Sequence, residues 1–151
     1  MQSKTISSFI PTARLLLDAF RAFENDLAQQ LAVQGFDDLT TGNFNLIRHL
    51  NPEGMRLVEL ARDAQLSKQA IGKMVNELEY KAYVEVVPDA TDGRAKFVRF
   101  TPRGRKLIEQ ATLMVADIER HYQSMLGKKD YQKLRQAVTQ IAQWHVNKER
   151  L

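Results

Sequence analysis

Lys68, Gln69, Lys73 and Asn76 alternate with Ile71, Met74, Val75 and Leu78 at a spacing that puts the polar and apolar sets on opposite faces of a helix. Lysine meets phosphates or guanine acceptors, and the amides of Gln and Asn can bond adenine through two atoms, so the polar face carries the chemistry of a major groove. Any solvated helix wears similar residues, and the surroundings must therefore decide between the two readings. Shortly downstream, Arg94 and Lys96 add cations at the end of the turn-rich stretch from Pro88 to Ala95. An arginine held there suits a narrow, electronegative minor groove. Asp92, two residues before Arg94, is expected to brace its guanidinium in a bidentate ion pair.

The elements that would position these groups are legible on either side. Leu57, Leu60, Ala61 and Ala64 make one apolar stripe of a short helix, and Gln65 and Leu66 follow as a turn. Ser67 is placed to cap a second helix that runs to about Ala82. Tyr83 to Val87 and Lys96 to Phe100 are β-branched and aromatic runs on either side of an Asp-Gly turn, which predicts a hairpin. Two helices and a basic-tipped hairpin, over about residues 55–101, form the layout of a winged helix-turn-helix. The fold expected is mainly α with a small β-wing.

Helices are expected outside this module too. Pro11 suits a first helical position and opens a helix carrying Leu16, Ala19, Phe20, Phe23 and Leu27 that ends near Gly35. Thr40 or Thr41 can cap a second, with Phe44, Ile47 and Leu50 inward and Asn51-Pro52-Glu53-Gly54 as its stop. Thr101 and Pro102 start a third, with Leu107, Ile108, Ala111, Met114, Val115, Ile118 and Met125 inward, and Gly127 breaks it. A last helix aligns Leu134, Val138, Ile141 and His145. These helices offer more apolar face than one small module needs. The surplus predicts an isologous homodimer held by residues of about 9–35 and 102–151 within a single domain spanning 1–151. Two copies of the groove-facing helix would then read a pseudo-palindrome in double-stranded DNA.

Composition narrows the alternatives. With no cysteine among 151 residues, disulfides, thiolate metal sites and a cysteine nucleophile are excluded. No apolar run approaches the roughly 20 residues of a membrane span, and residues 1–8 lack the apolar core of a signal peptide, so a cytoplasmic protein without membrane contact is expected. The net charge is only +4, but it is unevenly placed: Met55 to Lys106 holds 11 Lys and Arg against 7 Asp and Glu. Phosphate-cradling glycine loops and the common hydrolase motifs are missing, so no enzyme and no cofactor are expected. Asp117 with His121, and His145 with Glu149, sit four apart, where an ordinary helical pair outweighs one edge of a metal site. His49 reads as a charge at a helix C-terminus.

The run Leu57-Val58-Glu59-Leu60-Ala61, Ser67, Val75-Asn76-Glu77-Leu78-Glu79, Tyr83-Val84, then Asp89, Asp92-Gly93-Arg94 and Phe100-Thr101-Pro102-Arg103-Gly104 resembles the MarR family of transcription regulators. The resemblance covers nearly the whole chain, and its Asp-x-Arg wing and Thr-x-x-Gly step are specific. It implies a triangular homodimer that binds operator DNA, as a repressor more often than an activator, and lets go when a small ligand binds. DNA contacts would fall on Ser67, Lys68, Gln69, Lys73 and Asn76 and, at the wing, on Arg94. Two departures stand out: Val86 occupies a place where the family often has an arginine that pairs with the wing aspartate, and Phe100 replaces a leucine. Aromatic acids are frequent family ligands; Phe20, Phe23 and Phe44 with Arg14 or Arg48 are the candidate lining, against the simpler reading of packed aromatics. The rival reading is a winged helix that binds protein and has no affinity for DNA.

Overall fold

The computed structural model describes residues 9–149; residues 1–8, on which the signal-peptide reading rests, lie outside the described residues. The elements in chain order are α1 (Thr12–Val33), α2 (Thr41–His49), β1 (Met55–Arg56), α3 (Leu57–Asp63), α4 (Lys68–Tyr80), β2 (Val84–Pro88), β3 (Lys96–Phe100), α5 (Pro102–Leu126) and α6 (Lys128–Lys148). The predicted helix-turn-helix and hairpin are present, and α-helix dominates as expected. The chain divides into two compact units, residues 1–111 and 112–151, with the boundary inside α5.

Three helices of the first unit end in the same way. Phe36 N–H donates to Leu31 O and Gly35 N–H to Ala32 O at the end of α1; Leu66 to Ala61 and Gln65 to Arg62 repeat the pattern after α3, and Tyr83 to Leu78 and Ala82 to Glu79 after α4. This paired closure needs a left-handed residue at its centre, ordinarily glycine. Gly35 supplies it at φ 91°, whereas Gln65 and Ala82 adopt φ 54° and 61° with a full side chain. The closure after α3 is the turn of the helix-turn-helix, and the one after α4 drops Tyr83 into the core just before the wing. Tyr83, expected in the strand, instead precedes it and is fully buried.

The sheet has three antiparallel strands in the order β1-β3-β2, with Met55 opposite Val98 and Val84 opposite Phe100. β1 was not predicted from sequence, and its two residues join the inner edge of the wing to the start of α3. Leu31, Leu46, Leu60, Ile71, Leu78, Val98 and Leu107 form the core of this unit. In α2 the inward residues are Asn43 and Leu46 rather than Phe44 and Ile47, which are half-buried. Asn43 is buried because its carboxamide serves two elements: Oδ1 accepts from Thr40 N–H at 3.0 Å, closing a capping box, and from Lys81 Nζ at 2.8 Å. Lys81 also meets Glu77 at 2.8 Å, and the ammonium first, then Asn43, holds that carboxyl below its ordinary pKa. Pro11 caps α1 from outside rather than opening it.

Thr101 links the wing to α5, accepting from Gly104 N–H at 3.1 Å and donating to Ala82 O at 2.6 Å. Gly104 is required here, because a Cβ would stand 2.0 Å from Tyr83 O. Tyr83 itself donates to Asp38 beneath the Arg103 guanidinium, which lies 4.2 Å from the ring centroid. Burial and the Asp38 carboxylate push the Tyr83 phenol well above its ordinary pKa. In the second unit Tyr131 and Arg135 of α6 both reach Glu119 of α5. Ile118 is buried, but Met125, expected inward, is 74% exposed. α6 buries none of its residues.

Candidate nucleic-acid interface

α4 begins as its sequence predicts: Ser67 Oγ accepts from Ala70 N–H at 3.1 Å, so the first turn is closed by its own side chain. Ile71, Val75 and Leu78 are buried, which fixes the rotation of the helix. Lys68, Gln69, Lys73 and Asn76 consequently all face solvent. The helix is held at both ends, by Ser67 at the start and by the Asn43–Lys81–Glu77 cluster and Glu79 at the finish, where Glu79 Oε1 accepts from Val86 N–H at 2.9 Å.

Between the start of α4 and the wing lies a cleft of about 320 Å³ lined by Arg56, Leu57, Val58, Lys68, Gly72, Arg94, Ala95 and Lys96. The structure thus brings Lys68 together with Arg94 and Lys96 across one opening, while Gln69, Lys73 and Asn76 continue the exposed face of α4. Among the described residues, Lys68, Lys73, Arg94 and Lys96 take part in no ion pair. Three exposed cations without ion-pair partners around one cleft, Lys68, Arg94 and Lys96, with Lys73 further along α4, are an anion-binding surface.

The wing is braced differently from the sequence expectation. Asp92 does not pair with the Arg94 guanidinium; its Oδ1 accepts from the Arg94 backbone N–H at 3.1 Å, a local turn that the two-residue spacing favours. The bidentate pair is made instead by Arg56 of β1 with Asp89, Nε to Oδ2 and Nη2 to Oδ1, both at 3.0 Å, and Nη2 also reaches Thr91 Oγ1 at 3.0 Å. Asp89 Oδ1 in turn accepts from Thr91 and Asp92 N–H, each at 2.9 Å. One carboxylate therefore organises the turn of the wing, and Arg56 anchors that carboxylate to the body of the domain. The Arg56 guanidinium, then Thr91 and the two backbone amides, hold the Asp89 carboxyl far below the ordinary carboxylate range. Asp89 reciprocally raises the pKa of Arg56. Arg56 of β1, rather than a residue of β2, thus makes the ion pair that anchors the wing. Only its register beside β3, with Arg56 opposite Phe97, could have revealed it.

Of the predicted effector residues, Phe20, Phe23 and Arg48 lie together, while Arg14 and Phe44 make separate contacts. Arg14 pairs with Asp18 at 2.9 Å one turn along its own helix. Arg48 pairs with Glu24 and lies 4.9 Å from the Phe20 ring centroid, and the Phe20 and Phe23 rings are 6.4 Å apart. Phe44 borders a space of about 70 Å³ with Glu24, Asn25 and Leu39, far below the several hundred Å³ of a ligand pocket. Asp117 is engaged by Arg120 at 2.8 Å, and among the described residues no three potential ligands converge on a metal position. His145 stacks edge-on against Trp144, with centroids 4.7 Å apart. Among the described residues no helix is long and apolar enough to cross a membrane.

Fold and cleft together define a winged helix-turn-helix protein. Residues 37–95, the winged-helix segment, match the family model of the MarR family and are similar to its members there. The transcriptional activatory protein BadR of Rhodopseudomonas palustris is 34% identical over 74 residues, covering 49% of this chain and 41% of that protein. The chain therefore matches less than half the length of this curated relative. FabT of Streptococcus pneumoniae, solved in complex with DNA, superposes with a TM-score of 0.71 at 15% identity, over 91% of this chain and 99% of that one. The transcriptional repressor CouR, bound to a 23-mer DNA duplex, gives 0.69 at 21% identity over 94% and 98%. At these identities the two structures bear on the fold.

Proposed function

We propose that this protein is a DNA-binding transcription regulator of the MarR type that acts as a homodimer on a pseudo-palindromic operator in the cytoplasm. The observation that carries the reading is the cleft between α4 and the wing, where Lys68, Arg94 and Lys96 stand without carboxylate partners beside the exposed amides of Gln69 and Asn76. Lys68 and Lys73 would engage phosphates or guanine, Gln69 and Asn76 base edges, and Arg94 the flanking minor groove. Ser67 and Asp92 serve by closing the first turn of α4 and shaping the turn before Arg94. DNA-bound FabT and CouR, which share the fold, support this docking.

The dimer is supported by apolar surface left uncovered. Phe9, Ile10, Leu15 and Leu17 are exposed at the start of the first unit, and in the second Leu134, Val138 and Ile141 keep 47%, 37% and 39% exposure along one stripe of α6, with Trp144 beyond them. Burying such stripes against a second copy satisfies both faces at once. Repression is the proposed sign of regulation, and release by a small aromatic ligand is its proposed control. The rival reading, a winged helix that binds protein without DNA, is disfavoured by the brace that Arg56 provides to the wing.

Single-site variants test the assignment. Gln69→Ala or Asn76→Ala is expected to relax sequence preference by ~1–3 kcal/mol for each lost base contact, and Arg94→Ala to weaken binding most at A/T-rich flanks. Equal binding of every duplex by all three variants and the parent would show that α4 and the wing do not enter the grooves.

A further inference from the structure

Three glycines of the first unit stand in contrast. Gly54 adopts φ +86°, and a Cβ there would press within 2.5 Å of the Phe97 ring. Gly104 leaves room for Tyr83 O, as described above. Gly72 has neither reason: it lies in the regular interior of α4, and a Cβ built on it meets nothing within 4 Å. Glycine is the poorest helix former after proline, so the fold would be better served by almost any other residue at this position. Gly72 occupies the centre of the face proposed to enter the groove, one turn after Lys68 and one turn before Asn76, and it lines the cleft opposite Arg94.

We infer that Gly72 is a specificity-determining position: the missing side chain leaves a slot, one methyl group deep, into which a base edge of the operator seats directly against the α4 backbone between Lys68 and Asn76. This inference rests on the DNA-binding reading and adds to it. A helix whose centre is bare can sit closer to the floor of the major groove, which brings the shorter Gln69 and Asn76 amides within reach of base edges. Phosphate contacts made by the long lysines tolerate a small retreat of the helix, whereas base contacts, short and directional, do not. Sequence-selective binding should therefore depend on the glycine far more than non-selective binding does.

The test compares parent, Gly72→Ala and Lys68→Ala on a duplex selected from a random pool by the parent and on a scrambled duplex, with thermal melts of all three proteins. Gly72→Ala is expected to melt at or above the parent's temperature, to bind the scrambled duplex as the parent does, and to lose about tenfold in affinity for the selected duplex. Lys68→Ala is expected to weaken on both duplexes and to lower the salt dependence. A folded Gly72→Ala that retains the parent's preference overturns the slot while leaving the DNA-binding reading intact. Failure of the parent to bind any duplex overturns both. Gly72→Ser, which also adds a side chain to the slot, should show the same loss; if alanine and serine diverge, with serine binding as the parent does, the steric account is wrong.

Discussion

Replacing Ala82 by glycine is expected to stabilise the protein, although it touches no core contact and removes a methyl group. Ala82 sits at the centre of the closure after α4 with φ 61°, its N–H on Glu79 O at 2.9 Å and its carbonyl receiving Thr101 Oγ1 at 2.6 Å. Those bonds use only the backbone and survive the exchange. The left-handed conformation costs an L residue roughly 1–2 kcal/mol that glycine does not incur. Glycine's greater freedom in the unfolded chain offsets about 0.4–1 kcal/mol of that gain. Ala82 is exposed, so no cavity opens. The net is about 0.5–1 kcal/mol of stabilisation, or a rise of about 1–4 °C in melting midpoint for a chain of this size. Urea titration and thermal melts followed by circular dichroism, at one fixed protein concentration, measure it, with an unchanged denaturant slope showing that the exchange acts on stability alone. A lower midpoint would refute the reasoning, since it would mean that the left-handed residue is not strained.

Other substitutions probe the parts that position the cleft. Ser67→Ala removes the acceptor for Ala70 N–H and is expected to cost about 1 kcal/mol, read from the urea midpoint. Gly104→Ala forces a Cβ onto Tyr83 O and is expected to cost at least the ~1–3 kcal/mol of an overpacked core, with the loss of soluble, folded protein as its extreme form. Arg56→Ala should leave the melt little changed but speed amide exchange at Thr91 and Asp92, whose N–H groups rest on the carboxylate that Arg56 holds, and weaken DNA binding through Arg94. Because the folded Asp89 carboxyl titrates below its unfolded value of about 4, its contribution is complete above that pH and is lost only as pH falls through the lower, folded value. Protection of those two amides should accordingly be flat from pH 8 to pH 5 in the parent.

The elements legible in the sequence were those whose periodicity is local. Leu57, Leu60 and Ala61 on α3, Ile71, Val75 and Leu78 on α4, and the Lys96 to Phe100 strand lie where their spacing placed them, because one buried face sets each pattern. The polar face of α4 followed from the same geometry. What escaped was non-local or ran against hydrophobic pattern. β1 is two residues long and has no period of its own; Arg56 finds Asp89 across 33 positions, which no spacing rule reaches. Asn43 rather than Phe44 faces the interior, where two partners satisfy its buried amide, a non-local arrangement that hydrophobic pattern does not reveal. The Asp92 carboxylate accepts from the backbone N–H of Arg94 rather than pairing with its guanidinium, a local bond that competes with the expected pair.

The most direct measurement is a gel-shift titration of the purified protein against a duplex from upstream of its own gene and a scrambled control, at two salt concentrations. The account predicts selective binding to the upstream duplex that weakens steeply as salt rises, in keeping with cations of α4 and the wing displacing counterions from phosphates. Absence of binding at low salt by folded protein, to either duplex, would contradict it.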